Sequence, residues 1–136
     1  MKNNYQNLSV IIPCLNEEDT IGICVSKAIK ALEADNIPGE VIVADNGSTD
    51  TSIDIAEKNG AKVIKVSKKG YGSAIKEGIK VSSGEFILFA DADNSYDFNE
   101  IGKFYKELVG GYDLIQGCRF PSGGGMIKKG AMPLTH

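Results

Sequence analysis

Residues 85–97 read Glu85-Phe86-Ile87-Leu88-Phe89-Ala90-Asp91-Ala92-Asp93-Asn94-Ser95-Tyr96-Asp97. The run 86–90 is apolar throughout, aromatic and β-branched, and short, as expected of a strand buried on both faces. It stops on Asp91-Ala92-Asp93, with Asp97 four residues beyond the second aspartate. Carboxylates gathered at the end of a buried strand repel one another unless a cation or hydrogen-bond donors face them. Hard oxygen ligands along an extended segment suit Mg²⁺ or Mn²⁺, above all where the metal also holds a phosphate. A solvated turn capping the following helix would use the same residue types. Both readings stand on this stretch alone.

Working outward, the chain repeats the pattern of buried strand, polar turn and amphipathic helix. Residues 8–13 form an apolar strand that Pro13 is expected to end, since it supplies no N–H to a ladder. Asn16 is expected to cap a helix with Glu17, Glu18 and Asp19 in its first turn and Ile21, Cys24, Val25, Ala28 and Leu32 on one face. A second strand, 41–44, stops on Asp45-Asn46-Gly47-Ser48-Thr49-Asp50, a tight turn with Gly47 free to take positive φ and Ser48 or Thr49 as helix cap. After that helix and Gly60, residues 62–66 form a more amphipathic strand suited to a sheet edge. Gly70-Tyr71-Gly72-Ser73 leads into a helix with Ile75, Gly78 and Ile79 inward, and Ser83-Gly84 returns the chain to 86–90. Phe98, Ile101, Phe104, Tyr105 and Leu108 mark the last amphipathic helix, and residues 112–118 a fifth strand. From Pro121 the periodicity dissolves into Ser122-Gly123-Gly124-Gly125 and Lys128-Lys129, expected as a flexible segment 121–136 in a chain whose closing elements lie elsewhere.

Strands alternating with helices imply a parallel sheet with right-handed crossovers. A doubly wound order 3-2-1-4 sets the first and fourth strands side by side at the switch point, where such sheets bind ligands beyond the carboxyl ends of their strands. Pro13 to Glu17, Asp45-Asn46 and Asp91 to Asp93 then share one crevice, and a nucleotide site is the expectation.

Composition narrows the classes. The 136 residues suffice for one domain with a real core, and a net charge of −3 leaves no footprint for nucleic acid. Three dispersed cysteines, Cys14, Cys24 and Cys118, read as buried thiols of a reducing compartment, which places the protein in the cytoplasm. No apolar run approaches the length of a signal peptide core or a membrane span, so any membrane anchor is expected outside these residues.

Four motifs in order resemble the family 2 glycosyltransferases of GT-A fold: Val10-Ile11-Ile12-Pro13-Cys14-Leu15-Asn16-Glu17-Glu18, Val43-Ala44-Asp45-Asn46-Gly47-Ser48-Thr49-Asp50, Gly70-Tyr71-Gly72-Ser73-Ala74 and Asp91-Ala92-Asp93. Asp91 to Asp97, Gly117-Cys118-Arg119-Phe120 and Gly130-Ala131-Met132-Pro133 are similar to the branch that makes dolichyl- or polyprenyl-phosphate mannose and glucose. The resemblance implies a donor half in residues 1–120, with 121–136 opening an acceptor region. It implies that Pro13, Leu15, Glu17, Asp45, Asn46, Asp91 and Ala92 hold a UDP- or GDP-hexose. Where the family usually has a second aspartate contacting the base, this chain has Asn46. Asp93, assisted by Asp91, would hold Mg²⁺ or Mn²⁺ on the diphosphate, and Ser95 stands where a glutamine can join the coordination. Arg119 matches an arginine that steadies phosphate charge. The implied activity is inverting transfer of a hexose, with a lipid phosphate as acceptor and membrane association through residues beyond this chain. A nucleotide-sugar-binding module without activity is the alternative. A nucleotidyltransferase would carry a glycine- and arginine-rich first loop, which is absent.

Overall fold

A computed structural model describes residues 8–94, 98–109, 114–116 and 125–128. In chain order these form β1 (Leu8–Cys14), α1 (Ile21–Ala34), β2 (Gly39–Asp45), α2 (Ser52–Lys58), β3 (Lys62–Lys65), α3 (Tyr71–Val81), β4 (Phe86–Phe89), a 3₁₀ turn (Phe98–Glu100), α4 (Ile101–Val109), β5 (Leu114–Gln116) and β6 (Gly125–Lys128). They make a six-stranded sheet in the order β3-β2-β1-β4-β6-β5. The first four neighbours are parallel, in the expected order 3-2-1-4.

Apart from the buried Ser9, β1 is apolar on both faces because both are covered. Leu8, Val10, Ile12 and Cys14 enter one core layer with Cys24, Val25, Ala28 and Leu32 of α1 and Ile101 of α4. Ile11 faces the other layer with Ile42, Ala44, Ile87 and Ala74 of α3. α3 lies close on the sheet: a Cβ at Gly78 would stand 2.6 Å from Ile11 Cγ2, so only glycine permits this approach. β3 takes the edge, where exposed Lys62 and Lys65 discourage further strand pairing.

Three local expectations are corrected. β1 runs through Pro13 to Cys14, which stands opposite Asp45. α1 begins only at Ile21 with no acidic residue in its first turn, so Asn16 does not cap it and Glu17, Glu18 and Asp19 precede it. The cause is tertiary, since residues 16–18 bond to the turn after β2. That turn differs too: α2 starts at Ser52, and neither Ser48 nor Thr49 is its cap. The largest departure is β6. Residues 125–128, expected in an aperiodic segment, pair antiparallel with both β4 and β5 and separate them.

Candidate functional site

The register brings the carboxyl ends of β1, β2 and β4 to the same edge of the sheet. Cys14 pairs with Asp45, Ile11 pairs with Phe89, and the Ala90 N–H continues to the Ile11 carbonyl at 3.1 Å. The chains leaving β1, β2 and β4, joined by the loop between β3 and α3, therefore open on one side of the sheet. They enclose a crevice of about 440 Å³ lined by Pro13, Cys14, Leu15, Glu17, Asn46, Lys69, Gly70, Tyr71, Asp91, Ala92 and Asp93. Of the residues named from sequence, Pro13, Leu15, Glu17, Asn46, Asp91, Ala92 and Asp93 are brought together there. Asp45 is not in the wall. Ser95 and Arg119 lie outside the described residues.

Each wall is braced by its neighbours. The Asn16 N–H donates to Ser48 Oγ and the Glu17 N–H to Ser52 Oγ, both at 2.8 Å. In return Asn16 Oδ1 accepts the Thr49 N–H at 2.8 Å and the Asp50 N–H at 3.3 Å. Asn16 reaches this geometry with φ of 53°, in the left-handed region that asparagine tolerates. Asp45, 1% exposed, folds back on its own turn: its carboxylate accepts the N–H groups of Gly47 and Ser48 and the Ser48 hydroxyl at 2.6–3.0 Å. Gly47, at φ 106°, makes that turn possible.

The Asp91–Asp93 segment rests on α1. The Thr20 hydroxyl donates to the Ala92 carbonyl at 2.6 Å and Lys27 Nζ to Asn94 Oδ1 at 3.2 Å, while Cys24 Sγ lies 3.9 Å from the Asp91 carbonyl. These residues project from neighbouring helical turns. The sequence reading took Cys24 as part of the core face and assigned nothing to Thr20 or Lys27.

Electrostatically the crevice is poised for a cation. Partial burial, then the neighbouring Asp93 charge, raise the Asp91 carboxyl above its ordinary value, and a hydrogen bond from the Tyr71 hydroxyl offsets part of this. Tyr71 is pushed up to about 12 by its surroundings and by that same carboxylate, so it stays a protonated donor. Cys14 lines the crevice, but burial pushes its thiol up to about 11, which makes it a packing group at neutral pH. Lys69 is the one cation among the described lining residues, against the carboxylates of Glu17, Asp91 and Asp93. Tyr71 and Lys69 had no assigned role. Tyr71 sits in the legible Gly70–Ala74 motif and Lys69 just before it, but the proximity of Tyr71 to Asp91 has no signal in the sequence.

The donor set fits Mg²⁺ or Mn²⁺. Asp91 and Asp93 offer hard oxygens whose mutual repulsion a cation would relieve. Among the described residues no group of three His, Cys, Asp or Glu converges as a closed metal cage. An open site that leaves positions to water and phosphate is the usual arrangement for Mg²⁺.

An open α/β sheet of this order, with an acidic crevice at the switch point, is an architecture in which nucleotides bind beyond the strand ends. The chain belongs to glycosyltransferase family 2, whose sequence model matches residues 9–131. It is 42% identical over 130 residues to the low-salt glycan biosynthesis hexosyltransferase Agl6 of Haloferax volcanii, covering 95% of this chain and 30% of that protein. It is 29% identical over 119 residues to a dolichyl-phosphate hexose transferase of the same organism, covering 88% of this chain and 50% of the relative. Among solved structures it is similar to glucosyl-3-phosphoglycerate synthase from Mycobacterium tuberculosis in complex with Mn²⁺, UDP and glucosyl-3-phosphoglycerate. There the TM-score is 0.70 at 25% identity, covering 90% of this chain and 57% of that one. The chain thus spans from 30% to 57% of these proteins' lengths. No helix among the described residues is long and apolar enough to cross a membrane.

Proposed function

We propose that this chain is the donor-binding half of an inverting hexosyltransferase that moves a hexose from a nucleotide diphosphate, UDP first, to a polyprenyl phosphate at the cytoplasmic face of a membrane. The carrying observation is the convergence of Pro13, Leu15, Glu17, Lys69, Tyr71, Asp91 and Asp93 on one crevice at the sheet's switch point. Pro13 and the half-exposed Leu15 offer an apolar shelf for a base, and Glu17 an acceptor for hydroxyls. Asp91 and Asp93 would hold Mg²⁺ or Mn²⁺, which when bound neutralises charge on the diphosphate leaving group. Lys69 supplies positive charge from the opposite motif, and Tyr71 keeps Asp91 oriented. In the transfer an oxygen of the acceptor phosphate forms the new bond to the anomeric carbon. The bond from that carbon to the diphosphate breaks, and its electron pair leaves with the nucleotide. An acceptor already anionic needs no strong base. Ser95 and Arg119 remain assigned to the cation and the phosphates through the family pattern. UDP with Mn²⁺ in the solved synthase supports the donor, and the dolichyl-phosphate relative supports the acceptor.

The test is thermal unfolding with UDP-glucose and GDP-mannose, with and without Mn²⁺. A donor at a hundredfold excess over its Kd stabilises by about 2.7 kcal/mol, on the order of 10 °C for a domain this size. Asp93→Ala is expected to remove the Mn²⁺-dependent part while leaving the unliganded fold intact. A full shift in that variant, or none with any donor, overturns the reading. Transfer itself is measured on the full-length protein, where label on soluble sugars alone would exclude the lipid acceptor. Binding without transfer would make it a non-catalytic module.

A further inference from the structure

We infer that Asn46 is a positioning residue: its carboxamide fixes the loop carrying Lys69 and Tyr71 into the crevice and donates no hydrogen bond to the donor's base. This deepens the donor-site reading above and rests on it for its ligand, though not for its geometry.

A carboxamide has two N–H donors and one carbonyl acceptor. Asn46 uses both donors and one of the oxygen's two lone pairs on one loop. Nδ2 donates to the main-chain carbonyls of Val66 at 3.1 Å and Lys68 at 3.0 Å, and Oδ1 accepts the Gly70 N–H at 3.1 Å. The residue is 8% exposed, and its own N–H donates to the Cys14 carbonyl at 2.9 Å. The Val66 N–H in turn donates to the Asp45 carbonyl at 2.7 Å. Residue 46 therefore ties the end of β1, the end of β2 and the loop after β3 into one unit.

What that loop carries explains the consequence. Gly70, with φ of 116°, turns the chain into α3, whose first residue is Tyr71, the hydrogen-bond partner of Asp91. Lys69 lies between the Lys68 carbonyl and the Gly70 N–H that Asn46 holds, and its Nζ lies 3.5 Å from the point a Cβ on Gly47 would occupy. The side chain thus crosses the turn next to Asn46 and reaches the crevice. An aspartate at position 46 could still accept the Gly70 N–H, but it would set an anion against two carbonyl oxygens and lose both donors. A side chain whose donors are so engaged has no N–H to offer a nucleobase, and an Oδ1 already holding the Gly70 N–H is fixed in place by the loop.

The experiment compares Asn46→Asp, Lys69→Met and the double variant with the wild type. Amide hydrogen exchange at residues 66–71 is followed without ligand, and UDP and GDP affinities are measured calorimetrically with Mn²⁺. Asn46→Asp is expected to retain the far-UV spectrum, speed exchange at Gly70 at least tenfold, and weaken UDP and GDP by one common factor of at least ten. Lys69→Met should weaken binding less in the Asn46→Asp background than alone, because the two act through one loop. Unchanged exchange at Gly70, additive effects, or a changed UDP-to-GDP ratio would overturn the inference; the last would restore a base contact. If Asn46→Asp does not fold, wild-type NMR decides: the Asn46 carboxamide protons must be protected from exchange without nucleotide, and rapid exchange refutes the clamp. Absence of nucleotide binding by the wild type would sink the donor reading, while the exchange measurements still judge the clamp.

Discussion

Replacing Ser52 by alanine tests the joint between the first two motif loops. The Ser52 side chain is 0% exposed, accepts the Glu17 N–H at 2.8 Å and donates to Asp50 Oδ1 at 2.6 Å. Ser52→Ala removes one oxygen and leaves the backbone bond from Ser52 N–H to Asp50 Oδ1 at 2.9 Å in place. The Glu17 N–H then loses its partner in a space that a missing hydroxyl leaves too small for a well-bonded water. An unsatisfied donor costs about 1–3 kcal/mol, and the Asp50 carboxylate loses one of its donors as well. The expected destabilisation is about 2–3 kcal/mol. Urea unfolding followed by far-UV circular dichroism reads it directly. With a slope of roughly 2 kcal/mol per molar, the midpoint should fall by about 1–1.5 M at unchanged slope. The exposed Ser67→Ala serves as control. A midpoint shift for Ser52→Ala below about 0.3 M, or equal to the control, would show that this hydroxyl does not lock the loops, by the usual scale of surface substitutions.

Two further outcomes follow from the packing and the charges. Although burial alone would raise it, Glu40 sits below its ordinary value of 4.5, because the Ser83 N–H and the Ser9 and Ser83 hydroxyls all donate to it. A depressed carboxylate stabilises above its unfolded value and loses that contribution as pH falls through the folded one. Glu40→Gln should therefore be less stable than wild type at neutral pH, with the two converging below 4.5. A constant difference across that window refutes the linkage. In α3, Gly72→Ala meets nothing within 4 Å and should stabilise by about 0.5–1 kcal/mol. Gly78→Ala drives a methyl to 2.6 Å from Ile11 Cγ2 and should destabilise by about 1 kcal/mol after helix propensity is credited. Equal effects of the two on thermal midpoint would mean that α3 does not lie on β1 as described.

Much of this protein is written in local pattern. Residues 10–13, 41–44 and 86–90 read as central strands because an unbroken apolar run this short suits a strand covered on both faces, and helices between them imply parallel crossovers. From that order alone the ends bearing Pro13, Asn46 and Asp91 had to meet. Tertiary structure decided what those residues do once they meet. Asn16 looks like a helix cap in sequence, yet its oxygen accepts N–H groups 33 and 34 residues away. Asn46 stands where the family resemblance puts a base contact, and its carboxamide also bonds a loop 20 to 24 residues on, which no local pattern announces. Thr20 carries no visible signal, yet it holds the Ala92 carbonyl across 72 residues. Residues 125–128 show no strand period, and β4 and β5 recruit them by offering unpaired edges. The physical reason is common to the three side chains. Burial periodicity is imprinted on neighbouring residues, whereas a polar side chain finds its partner only after the core has set the strand ends side by side.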